Sequence, residues 1–208
     1  MPSASQPEFQ FDLSGGILCL DFANTVSRRD DPKRRKEHLH SYDDLISFAT
    51  QSGQISPKES ASLREFAGRH KRQAQELLAK AIALRETVFR AFVAIAQHRP
   101  PSAVDIQQIN DAALEALQHR ELIRSNDAYR WSWIAERVDP LESLLRPVGH
   151  SAAELLTSQQ LQAVRYCEAP DCEWLFLDNS RNRSRRWCDM KSCGNRQKAR
   201  RHYQRSHE

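Results

Sequence analysis

The sequence predicts a mainly α (α+β) fold. A helical N-terminal domain carries a short strand and a hairpin, and a small four-cysteine module follows, ending in a basic helix. Three observations predict this. Apolar residues recur every three or four positions through much of residues 41–156. One stretch, residues 121–137, breaks that period with short β-prone runs. Four of the five cysteines fall between Cys167 and Cys193.

The elements follow in order. Gly15-Gly16 is a turn signal, and the apolar run Ile17-Leu18-Cys19-Leu20 after it reads as a short strand or extended segment packed inward. Residues 27–40 are polar and charged around Pro32, a solvated loop. Ser41 caps a helix using Leu45, Ile46 and Ala49 that stops at Gly53. Ser56-Pro57-Lys58-Glu59 is a capping box with proline at the first helical position, opening a helix that breaks near Gly68. From about residue 69 to 97, Leu77, Ala81, Leu84, Val88, Phe92 and Ile95 form one core-facing stripe, ended by Pro100-Pro101. Residues 102–105 cap a further helix with Ile106, Ile109, Ala113, Leu114 and Leu117 as its apolar set. Residues 122–124 and 129–134, separated by Ser125-Asn126-Asp127, read as a hairpin in which at least one of Trp131 and Trp133 faces the core. Asp139-Pro140-Leu141-Glu142 caps a helix that runs on to Leu156 despite Pro147 and Gly149. A boundary at residues 157–162 divides the chain into a helical domain, 1–160, and a cysteine module, 161–208.

A chain of 208 residues is long enough to bury a core. It has no apolar run of the roughly 20 residues a membrane helix needs, and its first residues lack the basic and apolar segments of a secretory signal. A reducing, cytoplasmic setting is therefore expected, where clustered cysteines bind metal rather than pair as disulfides. The net charge of +4 is unevenly spread. Residues 181–208 hold 10 Lys/Arg against 2 acids, or +8, which leaves −4 for the rest. Such a tail is either the footprint of a nucleic-acid partner or a solvated surface.

The pattern Cys167-x4-Cys172-x15-Cys188-x4-Cys193 gives two cysteine pairs at the separation that suits tetrahedral Zn2+ held by four thiolates. One structural ion is expected, since the module is too small for a core of its own and no histidine or open position signals a catalytic site. Basic residues crowd two places: the loop with Arg181, Arg183, Arg185 and Arg186, and the last helix with Arg196, Lys198, Arg200, Arg201 and Arg205. Guanidinium forks suit phosphates and guanine edges. On that helix Asn195, Ala199, His202 and Tyr203 share a narrow face expected to dock on the module, with the basic arc outward. Arg186 and Arg196 are the residues expected to neutralise the zinc–thiolate charge or pack on Trp187.

The segments Phe176-Leu177-Asp178-x-Ser180, Arg185-Arg186-Trp187-Cys188-x-Met190 and Cys193-Gly194-Asn195-Arg196-x-Lys198, with the first cysteine pair, resemble the CGNR zinc-finger family. Leu20-Asp21-Phe22-x-Asn24-Thr25 and Leu84-Arg85-Glu86 resemble the ABATE domain that usually precedes that finger. Phe48 stands where tryptophan is expected in many relatives. The resemblance implies a bacterial, stress-associated transcription regulator that binds DNA through the finger.

Asp21, Asn24 and Thr25 either line a small-molecule pocket, making the first domain a sensor, or cap turns, and the second reading is preferred. Cys19 reads as a small buried hydrophobe. No HExxH, GxSxG, Walker or dinucleotide motif is present, so an enzyme is not expected. The leading function is DNA binding through a zinc finger. The alternatives are RNA binding by the same finger and a protein-interaction module that engages an acidic partner.

Overall fold

The computed structural model describes residues 9–29, 31–134 and 140–206, apart from the side chain of Arg201. Seven helices and three two-stranded antiparallel sheets occur among these residues. They are α1 (Leu18–Ala23), β1 (Val26–Ser27), β2 (Lys36–Glu37), α2 (Tyr42–Gln51), α3 (Pro57–Arg69), α4 (Lys71–Ala96), α5 (Ala103–Gln118), β3 (Arg120–Ser125), β4 (Ala128–Trp133), α6 (Arg146–Thr157), β5 (Val164–Tyr166), β6 (Leu175–Leu177) and α7 (Asn195–Arg205).

Local chemistry sets the helix starts. Ser41 and Ser56 each accept a hydrogen bond from the third helical backbone N–H, and the Asp44 and Glu59 carboxylates accept one from the N–H of the cap residue. Ser102 accepts from the Asp105 backbone and opens α5. Gly53, at φ +73°, provides the left-handed turn after α2.

The 26-residue helix α4, about 39 Å long by helical rise, is the spine. Its first half gives Ala74, Leu77 and Ala81 to a core shared with Phe22 and with Leu45, Ile46 and Phe48 of α2. Its second half gives Val88, Ala91 and Phe92 to a second core. That core also takes Cys19 and Leu20 of α1, Ile109 of α5, Ala152 and Leu155 of α6, and Val164, Leu175 and Leu177 from the cysteine module. The covalent boundary after α6 is therefore not a boundary in packing. Fully buried Arg85 of α4 clamps β2 from below, donating to Glu37 at 2.5 and 2.8 Å and to Glu86 at 2.8 Å.

Five expectations change. The run at residues 17–20 is not a strand; Ile17 is extended but Leu18–Ala23 is helical. Cys19, Leu20, Phe22 and Ala23 are all fully buried, and a short helix buried on every side has the same continuous apolar sequence as a buried strand. The loop expected over residues 27–40 instead folds back on itself as a short strand pair, Val26↔Glu37 and Ser27↔Lys36. In α5, Leu114 and Leu117 are 57% and 50% exposed, and Ala116 takes the buried position. Small residues win there because α6 lies close: a Cβ on Gly149 would stand 2.8 Å from the Cβ of Ala112. The β3–β4 hairpin forms as expected, but Trp131 and Trp133 are both exposed and flank Arg120 instead of entering the core. The helix expected over 141–156 is a 3-10 turn, Glu142–Leu144, followed by α6, with Pro147 in its first turn where a missing N–H costs nothing. Its expected cap, Asp139, lies outside the described residues.

Candidate metal centre and basic surface

The hairpin β5–β6 builds the first half of the site. Its register, Val164↔Leu177 to Tyr166↔Leu175, puts Cys167 just past one strand, and the Cys167 N–H donates to the Trp174 carbonyl at 2.8 Å. Cys172 closes the knuckle by donating to the Ala169 carbonyl at 3.1 Å. In the second pair Cys188 stands just before, and Cys193 within, a π-type turn, Met190–Gly194, opened by Asp189, whose carboxylate accepts from Lys191 and Ser192 N–H groups at 3.1 and 2.9 Å.

All four thiols are buried, and their sulfurs lie within 4.8 Å of one another. Cys188 Sγ stands 3.5 Å from Cys172 Sγ and 3.6 Å from Cys193 Sγ. Four thiolates bound at about 2.3 Å around one zinc stand about 3.8 Å apart, so the cluster has the dimensions of a tetrahedral site. Hydrogen bonds from the neighbouring thiols hold Cys167 below the ordinary thiol range, and its own contacts with Cys172 and Cys188 push those two above it. Arg196 donates to Cys193 Sγ at 3.1 Å, placing positive charge on the cluster's edge as expected. Phe176, Trp174 and Trp187 wall the sulfurs from water. Ligand set, closure and apolar wall are those of a structural zinc centre.

The nine predicted DNA-facing residues divide. Arg185 turns inward: it donates to the carbonyls of Trp187 (2.9 Å) and Cys188 and lies over the Phe176 ring, 4.7 Å from its centroid. Arg186 pairs with Glu168 and lies over Trp187. Arg196 and Arg200 reach Asp171 at 3.6 and 3.5 Å. Arg181, Arg183, Lys198 and Arg205 are exposed and make no ion pair with the described residues. The side chain of Arg201 lies outside the described set.

The narrow face of α7 does not dock. Asn195, Ala199, His202 and Tyr203 are all exposed. The helix has no apolar stripe to bury, and its N-terminal half is tied to the first cysteine knuckle through Arg196 and Arg200 on Asp171. The structure also brings forward residues that sequence reasoning missed. Asp171 gathers Arg196 and Arg200 together with Arg28, at 3.7 Å, from the loop after β1. Asp178 shapes the basic loop: its carboxylate accepts from Ser180 N (3.0 Å) and Arg185 N (2.9 Å). Burial raises its pKa, but these bonds outweigh that and hold it below the usual carboxylate range. The Asp178-x-Ser180 spacing of an Asx turn was a legible signal for that role. Asp171 had none, because its partner Arg28 is remote in sequence.

Asp21, Asn24 and Thr25 come together with their partners inside the protein. Asn24 Nδ2 donates to the Leu175 carbonyl at 2.8 Å, and its Oδ1 accepts the Leu175 N–H at 2.9 Å, so one amide binds both polar groups of a β6 residue. Thr25 Oγ1 donates to the Phe22 carbonyl. Asp21 Oδ1 accepts the Gly15 N–H at 2.8 Å, and burial pushes its pKa up to about 7. The cavity touching all three, with His38 and Trp174, is about 50 Å³, room for little more than water.

Further bonds join these elements to the finger. Leu177 N donates to the Gly15 carbonyl at 2.9 Å, and Trp174 Nε1 donates to the Val26 carbonyl at 3.2 Å and Ser27 Oγ at 3.1 Å. Among the described residues no helix is long and apolar enough to cross a membrane.

Residues 16–159 match the ABATE family, described as "Putative stress-induced transcription regulator", and residues 164–206 match the CGNR zinc finger. No curated protein matches the chain.

Proposed function

Since the chain belongs to the ABATE family and closes with a CGNR zinc finger whose four cysteines hold one structural zinc, we propose that it is a DNA-binding transcription regulator whose finger contacts the duplex. The observation that carries this reading is the surface of the loop at 179–184 and of α7. Arg181, Arg183, Lys198 and Arg205 stand exposed there without acidic partners among the described residues. These four cations meet no acid among the described residues, whereas a phosphate backbone supplies the partner they lack. Arg28, brought to the same place by Asp171, extends the positive surface onto the helical region. The protein acts by binding and not by catalysis.

Each phosphate neutralised releases condensed counterion, so log K falls with log salt by about 0.9 per contact on duplex DNA. Replacing Lys198 and Arg205 with alanine should weaken binding and reduce that slope by up to about 2. Zinc content and melting temperature should stay as in the wild type, because both side chains are exposed and make no ion pair with the described residues. Duplex DNA, hairpin RNA and single strands are to be titrated in parallel at several salt concentrations. Preference for RNA would move the function to that partner. Equal affinity of wild type and variant for every nucleic acid would reject the reading in favour of an acidic protein partner.

A further inference from the structure

The cleft between α4, α5 and α6 has a volume of about 450 Å³, and Leu77, Leu84, Ala112 and Leu145 give it apolar walls. One strong cation is set into that wall. The side chain of Arg146, the first residue of α6, is 4% exposed. Its Nε and Nη2 are buried without a hydrogen-bond partner. These two nitrogens share one edge of the planar guanidinium, and that edge matches the two oxygens of a carboxylate. Buried charged donors left without an acceptor are costly, and most native ones are satisfied. The nearest acid is Glu115, whose Oε1 lies 3.5 Å from Arg146 Nε in an ion pair but not a hydrogen bond. The same oxygen lies 3.4 Å from His119 Nδ1, and Glu115 is half exposed, so it has somewhere to move when another acid takes the edge. The other charges at the mouth cancel, Lys80 being paired with Glu142 at 2.9 Å. Since α6 begins here with no side-chain cap, the positive end of its dipole adds to the attraction.

We infer that this cleft binds a small organic monocarboxylate, its acid group on the Nε–Nη2 edge of Arg146 and its apolar body along α4 and α5. Space of this size with apolar walls and one convergent charge suits a ligand on the order of ten heavy atoms. The site is separate from Asp21, Asn24 and Thr25, and it stands whether or not the finger binds DNA.

Isothermal titration of the full chain with hexanoate, octanoate and 4-phenylbutyrate tests this, with octanamide as the uncharged control. At least one acid should bind saturably, one molecule per chain, and octanamide at least tenfold more weakly than octanoate. Arg146→Gln should weaken binding at least tenfold. Should that variant fail to fold, Ala83→Phe decides. It fills the cleft from its exposed rim without touching the arginine's charge and should also weaken binding at least tenfold. Absence of saturable binding by all three acids would overturn the inference. Equal binding of octanoate and octanamide, or of octanoate by wild type and Ala83→Phe, would do the same.

Discussion

Asn24 joins the helical region to the finger with one amide that satisfies both the N–H and the carbonyl of Leu175. Asn24→Ala leaves both backbone groups buried and unpaired, a loss of about 1–3 kcal/mol. We expect denaturant unfolding to show that loss with zinc content unchanged; an unaltered midpoint would return Asn24 to the list of ligand-contacting candidates. Asp21, beside it, makes stability depend on pH. Its pKa is raised from 3.8 to about 7 by burial, so between these values the folded chain keeps a proton that the unfolded chain has lost. The Asp21 contribution to stability therefore falls as pH rises through that window, and the loss is complete above it. Asp21→Asn keeps an oxygen for the Gly15 N–H but no charge. It should be more stable than wild type at pH 8 by about 1 kcal/mol or more and should approach it near pH 4. Unfolding midpoints at the two pH values check the sign.

Among the elements, the α5–α6 contact depends on the absence of a side chain. Alanine within a helix is ordinarily favoured over glycine by about 1 kcal/mol. A Cβ at Gly149, however, would meet the Ala112 carbonyl oxygen at 2.9 Å as well as its Cβ. Backbone cannot step aside as a flexible side chain can, and overpacking typically costs about 1–3 kcal/mol. Gly149→Ala should thus destabilise on balance, lowering the thermal midpoint; a rise would mean that the two helices separate freely. Helix α7 is the opposite case, an element with almost no packing, held by Arg196 and Arg200 on Asp171. Asp171→Asn should loosen the N-terminal half of α7, read as faster amide exchange there; with both arginines about half exposed, at 46% and 50%, such pairs add at most about 1 kcal/mol to global stability.

For the whole molecule, the second core decides how metal and fold are linked. Val164, Leu175 and Leu177 belong to the finger by sequence and to the core of α1, α4 and α6 by packing. Structural zinc supplies about 10–16 kcal/mol of apparent binding energy in small modules. Cys188→Ser, or zinc removal by a chelator, should therefore lower the melting temperature of the helical signal as well as unfold the finger. Circular dichroism with and without chelator checks this. A helical transition indifferent to zinc would mean that the two parts fold independently.

Local pattern was enough to place the helix starts at Ser41, Ser56 and Ser102, a hairpin with strands at 122–124 and 129–134, the four zinc ligands and Arg196 on the cluster. Each depends on neighbours within a few residues, or on ligand types and spacings that chemistry restricts. Contacts between distant segments settle the rest. A six-residue run buried on all sides carries no period, so helix and strand read alike at Leu18–Ala23. Whether an apolar residue is covered depends on a distant element, which left Leu114, Leu117 and both hairpin tryptophans outside. The roles of Arg28, Asp171, Arg146 and Asn24 rest on contacts between segments far apart in the chain, and only folding brings those charges and amides together.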